Sequence, residues 1–163
     1  MVHVTIEKKE SFAILGVKTW ISGTDNELFA KFWQEQTKNG VLLDLNKHRI
    51  DEAKSVTKSY VLGLSNTEKD PNVRSFDFYI AVEALRKSIG IDQKYESLAV
   101  KPYNWAIFSS DGTDISSLIE AEMYCWTKWL PGNEKYKHDN GPEIEVYFPS
   151  GKIEYWVPVI ERI

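Results

Sequence analysis

Residues 98–132 read LAVKPYNWAIFSSDGTDISSLIEAEMYCWTKWLPG, and their organisation decides the fold. The first half is strand-like, with Pro102 marking a break or an edge. The second half carries Ile115, Leu118, Ile119, Glu122, Trp126, Trp129 and Leu130 at helical spacing and stops at Pro131-Gly132. The same strand-then-helix order occurs earlier. VHVTIEKKESFAILGVKTW alternates as one or two strands, and TDNELFAKFWQEQTKNG follows as a helix. Thr24 and Glu27 make a capping box, Leu28, Phe29, Phe32 and Trp33 make the apolar stripe, and Gly40 is the stop. The echo reaches single residues. SFAIL at 11–15 and NWAIF at 104–108 lie 93 positions apart, and the same offset carries Trp33 onto Trp126.

Outward from these units the pattern continues twice. After the first helix comes a mixed connector over 41–57 with a short helical turn, then SYVLGLSN and RSFDFYIAVEA as two β-rich runs. A polar loop, TEKDPNV, with a turn signal at Asp70-Pro71, separates those runs. LRKSIGIDQKYE connects to the second unit, and a final hairpin follows the second helix. The order strand, strand, helix, strand, strand therefore appears twice. Units of about 80 residues bury little alone. Paired about a pseudo-twofold axis, their sheets merge and leave a groove at the junction, where pockets form most readily. The expected fold is α+β: duplicated units, an antiparallel sheet, two main helices and a central groove. The expected organisation is one domain over 1–163, with approximate repeats 1–90 and 91–163.

Composition fits a globular chain of 163 residues, 42% hydrophobic and 27% charged. Aromatics at 13% point to a dense core or a pocket for flat ligands. A net charge of −4 without a basic run argues against nucleic acid as a direct partner. Cys125 is the single cysteine, so no internal disulfide can form. MVHVTIEKKE has no apolar signal region, and no run reaches the roughly 20 residues of a membrane span. The reading is a soluble, cytoplasmic protein without a membrane partner.

The final hairpin, GPEIEVYFPSGKIEYWVPV at 141–159, poses the functional question. With Ser150-Gly151 as a two-residue turn, Tyr147 pairs with Glu154, Val146 with Tyr155, Glu145 with Trp156 and Ile144 with Val157. Ile144, Val146, Phe148, Ile153, Tyr155 and Val157 then share the core face. Glu143, Glu145, Tyr147, Glu154 and Trp156 share the other. A longer turn would shift every pair. That second face is either a solvated surface with ordinary cross-strand aromatics or the wall of the groove. In the groove, a carboxylate among rings would be costly alone and would be stabilised by an entering cation.

WLPGNEKYKHDNGPEIEVYFP followed by IEYWVPV resembles the C-terminal signature of the GyrI-like small-molecule-binding domains, which include effector-binding domains of AraC- and MerR-type multidrug regulators. SFAILGVKTW, YVLGL, FDFYIAVEA and LAVKPYNWAIFSSDGT fit as well, so the resemblance spans essentially the whole chain. It implies two β-α-β-β repeats with pseudo-twofold symmetry and an aromatic pocket for bulky, often cationic, lipophilic compounds. It also implies a pocket glutamate pairing with the ligand's charge, and Glu145 in EIEVY matches that position. Tyr147, Trp156 and Trp105 join it on the geometry above, with Tyr60 and Tyr79 on the midway strands as further candidates. Some members of the superfamily resemble hydrolases of strained cyclopropyl groups in DNA-alkylating compounds, which would make Glu145 catalytic. Others bind gyrase, which leaves a protein partner open. Regulator forms carry a DNA-binding module on the same chain, whereas this chain starts at the first strand and reads as the stand-alone form.

Other constellations carry less. Glu122 lies at the 93-residue offset from Phe29, and either faces inward or keeps its head in water at the helix edge, the latter favoured. Glu143 and Glu154 read as solvent carboxylates. His3, His48 and His138 have no ligand spacing, so no metal is expected, and no motif calls for a cofactor. Cys125 reads as packing rather than as a nucleophile.

Overall fold

The computed structural model describes residues 1–23, 26–67, 74–85 and 94–163. The capping residue Thr24, the Asp70-Pro71 turn and most of the LRKSIGIDQKYE connector lie outside these. Strands β1 (His3–Lys9) and β2 (Phe12–Ser22) precede helix α1 (Glu27–Lys38) and the short α2 (Val41–Asn46). Gly40 takes φ +74° between the helices, the left-handed stop that its place after the stripe predicts. A 3-10 turn (Glu52–Lys54) leads to β3 (Val61–Ser65) and β4 (Ser75–Ala84). The second half runs β5 (Glu96–Val100), β6 (Tyr103–Ser109), α3 (Ile115–Tyr124), a π-helical turn (Cys125–Trp129), β7 (Tyr136–His138), β8 (Glu143–Tyr147) and β9 (Ile153–Glu161). Asp114 caps α3 by accepting from the Ser117 backbone N–H at 3.3 Å. Among the described residues no helix is long and apolar enough to cross a membrane.

All strands pair antiparallel in one nine-stranded sheet, in the order β1-β6-β9-β8-β3-β4-β2-β5, with β7 added beside β9. Exchange β1 with β5, β2 with β6, β3 with β8 and β4 with β9, and that order reads the same from the opposite end. The centre is the β8–β3 ladder, in which Glu145 lies across from Gly63. Each half gives its first strand to the other, since β1 pairs with β6 and β5 with β2.

The sheet buries both faces. On one side α1 inserts Phe32 among Ile21, Val61, Phe76, Phe78 and Ile80. On that same side α3 and the π-helical turn set Leu118, Ala121 and Cys125 against Ala106, Phe108, Tyr155 and Val157. Burial raises the Cys125 thiol far above its ordinary range, so it packs as an apolar side chain. Among the described residues no helix covers the opposite side. There Phe12 and Ile14 of β2 share one cluster with Trp105 and Ile107 of β6 and with Trp156 of β9, continuous through Leu62, Leu64, Ile144 and Val146 of the central strands. A fully buried side chain of this size contributes about 1.5–3 kcal/mol.

The hairpin register corrects the sequence reading by one residue. Glu145 pairs with Tyr155, Ile144 with Trp156, Val146 with Glu154 and Tyr147 with Ile153. The cause is the loop. The Phe148 N–H donates to the Lys152 carbonyl at 3.0 Å, the Gly151 N–H donates to the Phe148 carbonyl at 2.9 Å, and Gly151 sits at φ +94°. Pro149, Ser150 and Gly151 thus form a three-residue loop with a left-handed glycine, not a two-residue turn. Because side chains alternate, one residue of slip exchanges the faces of β9. Tyr155 and Val157 join Glu145, while Glu154 and Trp156 move to the other side.

Candidate functional site

Above β8, between α1 and α3, lies a cavity of about 1110 Å³. Its floor is the exchanged face of the central strands: Glu143, Glu145 and Tyr147 of β8 with Tyr155 of β9. Phe29 and Trp33 of α1 close one side, and Glu122 and Met123 of α3 with Trp126 of the π-helical turn close the other. Arg74, just before β4, completes the α1 end.

Glu145 is the centre of this floor. Tyr147 donates its hydroxyl to Glu145 Oε1 at 2.5 Å. Gly63, directly across the ladder, makes room: a Cβ there would stand 3.0 Å from Glu145 Oε1 and 3.1 Å from its carboxyl carbon. This is the close approach that a glycine inside a strand marks. Burial pushes the Glu145 carboxyl up from 4.5 to about 7, and the Tyr147 hydrogen bond acts in the opposite sense. The Tyr147 phenol is itself raised far above its ordinary range, by burial first and then by the charge and hydrogen bond of Glu145.

The rings are ordered by contacts with one another. Trp33 meets Tyr147 edge-on at 5.3 Å between centroids, and Phe29 meets Phe78 edge-on at 4.9 Å. Trp126 donates its indole N–H to the Tyr155 hydroxyl at 2.9 Å and stacks on His138 at 5.8 Å. The π-helical turn bears on this arrangement. Three residues of α-helix turn through about 300°, which would leave Trp126 and Trp129 on neighbouring faces. The wider turn separates them, so Trp126 lines the cavity while Trp129 packs edge-on against Phe108 at 5.3 Å. The Arg74 guanidinium lies over Phe29 at 5.5 Å and Phe76 at 5.9 Å and donates to Asn26 Oδ1 at 2.9 Å.

Of the residues singled out from the sequence, Glu145 and Tyr147 come together on the cavity floor. Trp156, Trp105 and Tyr79 lie on the opposite side of the sheet in the helix-free cluster, with Trp105 and Trp156 5.7 Å apart. Tyr60 does not line the cavity, and the Arg49 guanidinium covers its ring at 5.1 Å. Glu122, expected with its head in water, lines the cavity instead. Its carboxyl is pushed up to about 8 by burial first and then by the charge of Glu145, with Arg74 pulling down and Glu143 pushing up. Glu143, expected in solvent, also lines the cavity, with Oε2 3.7 Å from His138 Nε2. Glu154 is no free solvent carboxylate either: it accepts from Trp156 Nε1 at 3.0 Å and pairs with Lys152 at 3.2 Å.

Phe29, Trp33, Trp126 and Tyr155 went unassigned to the site in the sequence. One signal was available for two of them: the 93-residue offset that relates Trp33 to Trp126 relates two cavity residues. A second signal was the breadth of the α3 stripe. Leu118 and Ala121 are buried, whereas Ile115, Ile119, Met123 and Trp126 are 61%, 49%, 59% and 43% exposed and line the cavity. Apolar side chains left open in such a group mark an interaction site.

Residues 5–159 match the family of integron-associated effector binding proteins. Among curated proteins no sequence matches the chain. Three solved structures are similar in fold. SAV2435 bound to tetraphenylphosphonium is 20% identical with a TM-score of 0.76, over 97% of this chain and 94% of that one. A putative bacterial transcription regulation protein from Staphylococcus aureus MU50 is 20% identical with a TM-score of 0.69, over 96% and 97%. An integron cassette protein from the mobile metagenome of Vibrio cholerae is 17% identical with a TM-score of 0.63, over 96% and 95%. With the nine-stranded sheet of two exchanged halves, the cavity at their junction and a family match across nearly its whole length, the chain belongs to the integron-associated effector binding proteins and has the GyrI-like small-molecule-binding fold.

Proposed function

We propose that the protein binds bulky lipophilic cations in the cavity between α1 and α3, with Glu145 as counter-charge. One observation carries this reading. The Glu145 carboxyl is raised by burial on the floor of an aromatic cavity, and among the described residues no basic side chain forms an ion pair with it. A buried carboxylate in that state is stabilised by an incoming cation, and each ring face adds about 0.5–2 kcal/mol of cation–π attraction. The similar structure bound to tetraphenylphosphonium supports the ligand class. The test is titration of a fluorescent triphenylphosphonium against the protein and its Glu145→Gln variant. The variant is expected to bind about tenfold or more weakly, the scale of a lost charge-assisted contact. Equal affinities would discard the ion-pair reading.

A second reading has its own support. Glu122 and Glu145 face one cavity, and both hold protons more tightly than ordinary carboxyls. A protonated carboxyl opposite an ionised one is the pairing that acid–base hydrolysis needs. Incubation with an electrophilic cyclopropyl compound, followed by mass spectrometry, tests it; product formation no faster than in buffer rejects it.

A further inference from the structure

We propose that Glu122 is a second anionic anchor, so that the cavity selects ligands with two cationic centres over ligands with one. This rests on Glu145 being the first anchor. Glu122 projects from α3 and Glu145 from the β8 floor, so the two carboxyls line the same cavity from different elements. The groups facing Glu122 are Glu145, Glu143 and Tyr147 of β8, Tyr155 of β9, the Cys125 thiol and the Arg74 guanidinium. Arg74 is bound into the α1 end by Asn26, Phe29 and Phe76, so its charge belongs to the wall. At about 1110 Å³ the cavity lies just above the roughly 300–1,000 Å³ usual for ligand pockets.

The 93-residue offset sets this second charge against a ring in the other half of the chain. Phe29 of α1 and Glu122 of α3 lie 93 residues apart, as do Trp33 of α1 and Trp126 of the π-helical turn. Both pairs line the cavity. The tryptophans keep the two helices alike, while the other pair sets a ring on one side and a carboxyl on the other. Rings therefore stand on every side of the cavity, while its carboxyls lie only toward α3 and β8. Two half-buried carboxyls lining one cavity do not ionise together without compensation. A single cation compensates one and leaves the other protonated. A ligand with two cationic centres compensates both, and each ionisation releases a proton.

The experiment compares decyltrimethylammonium with decamethonium, its two-headed counterpart, and with the shorter hexamethonium, by calorimetry in two buffers of different ionisation enthalpy. Near pH 7 the two-headed ligand of fitting length is expected to bind about tenfold or more tightly than the single-headed one and to release more protons. In Glu122→Gln that ratio is expected to fall to about the twofold statistical advantage of two identical ends, with the single-headed affinity changed less than about threefold. Glu120→Gln, at a solvent-facing position of α3 where Glu120 accepts from Ser110, is expected to keep the wild-type ratio and so excludes a general charge effect. A wild-type ratio of about two for both spacers, or a ratio unchanged by Glu122→Gln in a variant with the wild-type melting temperature, overturns the second anchor. If the single-headed ligand binds without dependence on Glu145, the first anchor has failed instead, and the second falls with it.

Discussion

The behaviour of the site turns on one hydrogen bond. Tyr147 donates to Glu145 and so favours the ionised carboxyl, while burial opposes it, and the balance lies at about 7. A cation binds the ionised form, so affinity should rise with pH through about 7 and level off once Glu122, at about 8, has also ionised. Tyr147→Phe removes the hydroxyl and keeps the ring against Trp33. The midpoint should then move up, with affinity near neutral pH reduced about three- to tenfold and the deficit closing in alkali. Titrations of a triphenylphosphonium between about pH 5.5 and 9 check both effects. The same linkage sets the sign for stability. Both carboxyls bind protons more tightly folded than unfolded, so stability without ligand should decline as pH rises from 4.5 toward about 8. Glu145→Gln and Glu122→Gln should each flatten that decline, as melting curves across the range would show.

Among the elements, the β8–β9 hairpin shows what a sequence reveals and what it conceals. Alternation in EIEVY and IEYWV announced two strands. It could not state which faces meet, because that depends on the number of residues in the loop. Pro149 in the second place and Gly151 in the fourth suit the longer loop, and weighing them would have placed Tyr155 rather than Trp156 beside Glu145. Glu122 was obscured differently: at the edge of a stripe, a glutamate in water and a glutamate in a cavity have the same spacing. Its environment depends on what α1 and β8 place opposite, and no local pattern encodes that. Gly151 itself is testable. A Cβ there finds only ordinary contact with Thr113 at 3.7 Å, so the cost of Gly151→Ala comes from the backbone at φ +94°. It should destabilise by about 1–2 kcal/mol in chemical denaturation. Ligand affinity should hold, because β8 is also fixed in register by its ladder to β3. A matching loss of affinity would mean that the loop alone sets the register.

At the scale of the whole molecule, the duplicated element order was legible because each copy carries its own alternation, stripe and stops. What it did not contain is the exchange of first strands. That exchange makes the halves interdependent. Without β6 the first half has no partner for β1, and without β2 the second has none for β5. The helix-free cluster sets Phe12, Ile14, Leu62 and Leu64 from one half against Trp105, Ile107, Ile144 and Trp156 from the other. Separated halves would expose the side chains that meet across the β3–β8 ladder, a heavy loss for units of about 80 residues. We therefore expect fragments 1–90 and 91–163 each to lack cooperative unfolding when made alone. Mixed in equal amounts, they should regain the near-ultraviolet dichroism of the Trp105–Trp156 pair, whose rings lie at 53° to each other. They should also regain ligand binding, because the cavity takes Phe29 and Trp33 from one fragment and Glu122, Glu145 and Trp126 from the other. A fragment that melts cooperatively by itself would show that the repeat is an independent folding unit and that the exchanged strands only join two finished halves.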